Sequence, residues 1–182
     1  MNRFRFRVKI RFVSDIVIRR LVPADVADYR RVRLEALKGE PENYGSTFEE
    51  ESVKARLVSE VPIEKQSSIH VVFGAFDGAE LVGIMAYFRE ERRKLQHRGK
   101  VTQVYVAPYY RGQGIAKKIL QDLIDYAFSQ HGLEILTLEV VDSNNAAVKV
   151  YESVGFKSYG RMEGYFKTER GYTAQQFMIL NR

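Results

Sequence analysis

The sequence predicts an α+β fold, a mixed sheet with helices on both faces, and three observations carry that reading. An Asp77-Gly78 pair joins two apolar runs, 69–76 and 81–88, which is a strong hairpin signal. Residues 101–128 then read strand, glycine-rich turn and helix. A further strand over 134–141 makes residues 101–141 a βαβ unit with parallel strands. An antiparallel hairpin beside a parallel crossover gives a mixed sheet.

The remaining elements follow in order. Residues 1–15 form a basic arm in which Phe4, Phe6, Val8, Ile10 and Phe12 alternate with Arg3, Arg5, Arg7, Lys9 and Arg11. Period two argues an extra edge strand, or a loosely ordered tail, with charges that discourage edge pairing. Residues 16–182 read as a single domain. A short apolar strand over 16–21 precedes Pro23, which opens an amphipathic helix to about Lys38; Gly39 and Pro41 stop it. Residues 39–47 read as loop. A second helix is expected over 48–59, its acidic first turn of Glu49, Glu50 and Glu51 suiting the helix dipole. Residues 62–68 and the charged stretch 89–100 read as loop and turn. After the glycines, apolar residues at 115, 119, 123, 127 and at 116, 120, 124, 128 give one broad buried stripe. Ser143 or Asn144 caps a short helix that ends at Gly155, and two strands over 156–167 and 172–180 close the chain.

Composition bounds the function. A chain of 182 residues with 45% hydrophobic and 29% charged residues reads as one soluble globular domain. No apolar run reaches the length of a membrane span. The absence of cysteine excludes disulfides, Cys-ligated metal and a thiol nucleophile, and fits a reducing, cytoplasmic setting. His70, His97 and His131 are scattered without metal-ligand spacing, so no metal is expected. The net charge of +6 falls to +1 once the five basic residues of the arm are set aside. The body is nearly neutral, which argues against a nucleic-acid partner.

The glycine turn is the most informative feature. A strand that delivers Gly112 and Gly114 to a helix N-terminus makes a phosphate cradle from backbone N–H groups. A P-loop needs four residues between its glycines and then Lys-Ser/Thr, which RGQGIAKK lacks. A dinucleotide fingerprint needs a third glycine where Lys117 stands. The run Arg111-Gly112-Gln113-Gly114-Ile115-Ala116 instead resembles the Gln/Arg-x-x-Gly-x-Gly/Ala loop of the GNAT N-acetyltransferases. Upstream, RRVRLEALKGEPENYGSTFEEE resembles the first two helices of a bacterial branch of that family; downstream, LTLEVVDSNNAAVKVYESVGF resembles its fifth strand and following helix.

The resemblance implies a mainly antiparallel mixed sheet of about six to seven strands and acetyl-CoA as co-substrate. It implies that the amides from Arg111 to Ala116 hold the pyrophosphate, and that backbone groups of Val104, Tyr105 and Val106 pair with the pantetheine arm. In the family pattern Asn144, Ala147, Tyr151, Gly155 and Phe156, Asn144 would contact the cofactor and Tyr151 would serve as general acid. Glu139, twelve residues before Tyr151, matches the base of the ribosomal-protein alanine acetyltransferases. The acid that histone-type members carry on the fourth strand is replaced by Thr102 and Gln103. Tyr44 and Phe48 are expected as walls of the acceptor site. The implied activity is direct acetyl transfer to a primary amine of a small molecule such as an amino acid, polyamine or xenobiotic amine. Protein N-termini are the alternative acceptor, and a non-catalytic acyl-CoA-binding module is the alternative of another class. Oligomeric state is left open, a homodimer included.

Overall fold

A computed structural model describes residues 16–169 and 171–182. The basic alternating arm lies outside the described residues. Seven strands form one sheet in the order β1-β2-β3-β4-β5-β7-β6. These are β1 (Ile16–Arg20), β2 (His70–Asp77), β3 (Glu80–Arg89), β4 (Arg98–Val106), β5 (Ile135–Val141), β6 (Lys157–Thr168) and β7 (Gly171–Asn181). All pairings are antiparallel except β4 with β5. The expected hairpin turns at Gly78, whose φ of +60° suits glycine. Among the described residues no helix is long and apolar enough to cross a membrane.

Two helices flank the sheet from opposite sides, each over its own core. The helix α1 (Val26–Gly39) covers one face, burying Tyr29, Val32, Ala36 and Leu37. Tyr29, Val32 and Ala36 share a cluster with Leu21, Ile84 and Tyr105. On the other face α4 (Ile115–Ser129) buries Ile119, Leu120, Leu123 and Ala127 against Val101, Val106, Leu136 and Leu138. Tyr105 and Val106 therefore point to opposite faces, as strand alternation requires. The chain enters α1 through Asp25, whose Oδ2 accepts the Val22 N–H at 2.8 Å. The Arg19 guanidinium holds that carboxylate in a two-toothed pair, at 2.6 and 2.9 Å.

The segment after α1 corrects the sequence reading. The expected helix over 48–59 stops early: α2 spans only Phe48–Ser52, and a separate α3 spans Glu60–Glu64, inside what reads as loop. Thr47 and Glu50 form a capping box that starts α2 where the acidic turn placed it. Pro62 occupies the third position of α3, where an N–H has no helical partner to lose. The fourth strand also starts earlier than expected, at Arg98, because Gly99 and Lys100 pair with both neighbouring strands.

β4 carries the feature that shapes the site. The register with β3 shifts between Ile84 and Ala86, which leaves one extra residue on β4. Gln103 sits there with φ +55°, rare for a residue with a side chain. Its amide is clamped at both ends: Tyr29 donates its hydroxyl to Oε1 at 2.8 Å, and Nε2 donates to Ser59 Oγ at 3.0 Å. Ser59 in turn lies 2.8 Å from His70 Nε2, in a buried polar chain that links α1, α3, β2 and the bulge. Burial pushes His70 down to about 4, which keeps the ring neutral in its hydrogen bond with Ser59. On its other side β4 pairs with β5 only over Arg98–Lys100. Beyond Lys100 and Thr137 that ladder stops.

Candidate active site

The opening between β4 and β5 leads to a cavity of about 700 Å³. β4 contributes Val104, Tyr105 and Val106; the start of α4 contributes Gly112, Gly114, Ile115, Ala116 and Lys117. The third wall is α5 (Asn145–Glu152) with the residues before it, including Asn144 and Tyr151. The structure thus brings together the strand, the glycine turn and the Asn–Tyr helix that the sequence singled out. Gln113 alone of the 111–116 run points elsewhere, its Nε2 donating to the Tyr109 carbonyl at 3.3 Å.

The donor array has a simple origin. Lys118 is the first residue of α4 whose N–H finds a backbone partner, the Gly114 carbonyl at 3.1 Å. The N–H groups from Gly112 to Lys117 make no backbone hydrogen bond among the described residues. Gly112 and Gly114 take φ of +73° and +76°, and a Cβ on either would meet no protein atom within 4 Å. Both glycines border the cavity, and the space beside them is open. Free N–H groups and the positive end of the helix dipole fit a pyrophosphate.

β4 presents its backbone in the same direction. Ala107 N–H bonds the Val82 carbonyl, and Tyr105 pairs with Ile84, so the polar groups of Val106 turn away from β3 into the opening. The Val106 carbonyl accepts Arg111 Nε at 2.8 Å, and the Val104 carbonyl accepts the Tyr44 hydroxyl at 2.8 Å. Arg111 also pairs with Glu40 at the end of α1. Its charge is committed inside the protein rather than held free for a phosphate. Asn144 caps α5, its Oδ1 accepting from Ala147 N at 3.1 Å, and its Nδ2 reaches Asn43 Oδ1 at 3.3 Å.

Tyr151 lies on the inner wall, 4% exposed, with its ring edge-on to Phe156. Burial pushes its hydroxyl above the ordinary tyrosine value, so at neutral pH it carries its proton. Its hydroxyl makes no hydrogen bond among the described residues, although the ring borders the cavity. Glu139 lies on the opposite face of β5 from Leu138 and Val140, the face that α1 shares. Lys100 Nζ sits 2.6 Å from its Oε1, and the Tyr165 hydroxyl donates to Oε2 at 3.2 Å. Neither partner is marked in the sequence: Lys100 falls in a charged stretch that reads as turn, and Tyr165 is one of eleven tyrosines.

Tyr44 and Phe48, the expected acceptor walls, do not line the cavity. Tyr44 touches its edge through Val104, and Phe48 lies beside Lys38, whose Nζ stands 5.5 Å from the ring centre. The tip of the last hairpin closes over this side, with Phe166 3.4 Å from where a Cβ on Gly45 would stand. Glu40 and Asn43 also border the cavity, and no sequence signal marked them.

The family model described as acetyltransferase (GNAT) family matches residues 33–156. N-alpha-acetyltransferase 30 of Schizosaccharomyces pombe is 32% identical over 52% of this chain and 62% of its own length. Spermidine N(1)-acetyltransferase of Vibrio cholerae is 32% identical over 46% of this chain and 49% of its own length. The chain thus spans about half to three-fifths of the length of these curated relatives. An acetyltransferase of Salmonella typhimurium, solved with its cofactor acetyl-CoA, superposes with a TM-score of 0.74 at 19% identity, over 92% of this chain and 94% of that one.

Proposed function

We propose, from the premise that the chain belongs to the GNAT family of acetyltransferases, that it transfers the acetyl group of acetyl-CoA directly to the primary amine of a small molecule. The observation that carries this reading is the slot between β4 and β5. It joins a row of free N–H donors at one end to a buried, protonated Tyr151 at the other.

The N–H groups from Gly112 to Lys117 hold the pyrophosphate, and the Val106 backbone aligns the pantetheine arm as a strand would. The bound thioester supplies an activated acetyl carbon. A β4 N–H stabilises the oxyanion formed when the amine nitrogen bonds to that carbon. Tyr151 gives its proton to the departing sulfur as the carbon–sulfur bond breaks. Glu139 takes the proton lost by the amine, directly or through water, with Lys100 and Tyr165 fixing its carboxylate. No covalent acetyl-enzyme step is needed, and the chain has no cysteine to form one.

Protein N-termini are the second acceptor class. The pairing of Glu139 with Tyr151 at a spacing of twelve, and the likeness to an N-alpha-acetyltransferase, favour them. The likeness to a spermidine acetyltransferase and the first-helix segment favour the small amine. CoA release, followed with a thiol reagent across amino acids, polyamines and short peptides, separates these readings. Release with a small amine supports the proposal, and release with peptides alone moves the acceptor to protein termini. Tight acetyl-CoA binding without amine-dependent release overturns it in favour of a binding module.

A further inference from the structure

We infer that Arg33 is the anion-binding residue of the acceptor site, and that the acceptor is therefore a small amine that also bears a carboxylate. The inference rests on the proposed acetyl transfer and names the substrate class of that same site.

Among the described residues, Arg33 is the one arginine of α1 that forms no ion pair. Arg30 pairs with Glu60 at 2.6 Å, and Arg31 lies 3.5 Å from Asp28 and 3.6 Å from Glu35. Arg33 is only 7% exposed, its Nη1 has no hydrogen-bond partner, and no ion pair forms to it among the described residues. The buried carboxylates of Glu51 and Glu60 oppose Arg33 in their effect on the Tyr29 hydroxyl, but neither pairs with it: Glu51 Oε1 is held by Lys54 Nζ at 2.7 Å and Glu60 Oε1 by Arg30 Nη1 at 2.6 Å. A buried guanidinium without a partner is costly, and a protein that keeps one has a use for an anion there.

Its position says whose anion. The guanidinium packs on the ring of Tyr44, 4.8 Å from the centre, and the Tyr44 hydroxyl bonds the Val104 carbonyl on the strand that borders the cavity. Arg33 thus stands one aromatic ring away from the reacting strand, on the α1 side of the sheet. Glu139 is on that side too. Lys100 already neutralises Glu139 there, so the charge left to be met on that side is the one on Arg33. A planar guanidinium takes a carboxylate through two parallel hydrogen bonds. An amino acid supplies a carboxylate for Arg33, while a polyamine leaves Arg33 unpaired and adds a second positive charge beside it.

The test compares alanine and lysine with their methyl esters and with the decarboxylated amines, by CoA release from the full chain. The free acids are expected to win in kcat/KM by roughly tenfold to a hundredfold, the worth of a hydrogen bond to a charged group. In Arg33→Gln that ratio is expected to collapse toward one, mainly through the KM of the acids, with the acetyl-CoA KM held. Arg33→Lys should restore part of it. The comparison on the unaltered protein decides the matter even if Arg33→Gln fails to fold. Equal rates for acids, esters and amines overturn the Arg33 assignment and leave acetyl transfer standing. An absence of release with every amine overturns acetyl transfer and this inference with it.

Discussion

The two sides of β4 make different kinds of site. Toward α4 and α5 the cavity is built from backbone: free N–H groups, two left-handed glycines and the turned-out groups of Val106. Toward α1 it is built from side chains that hold one another: Glu139 with Lys100 and Tyr165, Tyr44 with Val104 and Arg33, Gln103 with Tyr29 and Ser59. A backbone site recognises what every member of a ligand class shares, which on the proposed reading is a pyrophosphate and an amide chain. A side-chain site recognises what differs, and that is where acceptor choice belongs.

The sharpest way to break this division is Tyr151, which stands where the two sides meet. Tyr151→Phe keeps the ring and its packing on Phe156 and removes only the hydroxyl, the proposed proton donor. It should lower kcat by roughly tenfold to a thousandfold while acetyl-CoA affinity, measured by calorimetry, stays within about twofold. A matching loss of affinity would place Tyr151 in the cofactor side instead.

A smaller effect belongs to the α1 side. His70 is held neutral by burial at about 4, below its ordinary value of 6.5. Between those values the unfolded chain binds the extra proton, so stability is full above about pH 6.5 and falls as pH drops toward 4. The loss at pH 4 should approach about 3 kcal/mol, read from urea melts, and His70→Asn should remove that part of the slope. The bulge at Gln103 hangs from the same polar chain, so acceptor KM should rise with acid before acetyl-CoA affinity does.

The smallest effect sharpens the other side. Gly114→Ala places a Cβ at φ +76°, where no protein atom obstructs it. The fold should lose only about 1–2 kcal/mol from the left-handed conformation, seen in the thermal midpoint. On the proposed reading the Cβ enters the ligand's space, so acetyl-CoA binding should weaken by more than stability does. Equal losses would mean that nothing approaches the turn closely.

The backbone side was legible in the sequence because its signals are local. Glycines two apart, a strand before them and an amphipathic stripe after them fall within 28 consecutive residues, 101–128. Asn144 caps the helix that carries Tyr151, so their spacing of seven, about two turns, puts both on one side of it. The α1 side was not legible because its partners are distant in sequence. Tyr44 meets Val104 across 60 residues, and Lys100 meets Glu139 across 39. No pattern in one chain announces such pairs. The break between α2 and α3 escaped for a related reason: the acidic turn that starts α2 is local, while the burial of Leu57, Ser59 and Glu60 that redirects the chain is tertiary.

The most direct measurement is of the backbone amides during acetyl-CoA titration, by nitrogen–proton correlation spectra with hydrogen exchange. The expected result is that the N–H groups of Val106 and of Gly112 to Lys117 shift and gain protection together, at one affinity, while Arg33 and Lys100 keep their amide shifts. Acetyl-CoA that leaves those amides unmoved, or that moves chiefly the α1 side, would contradict the account.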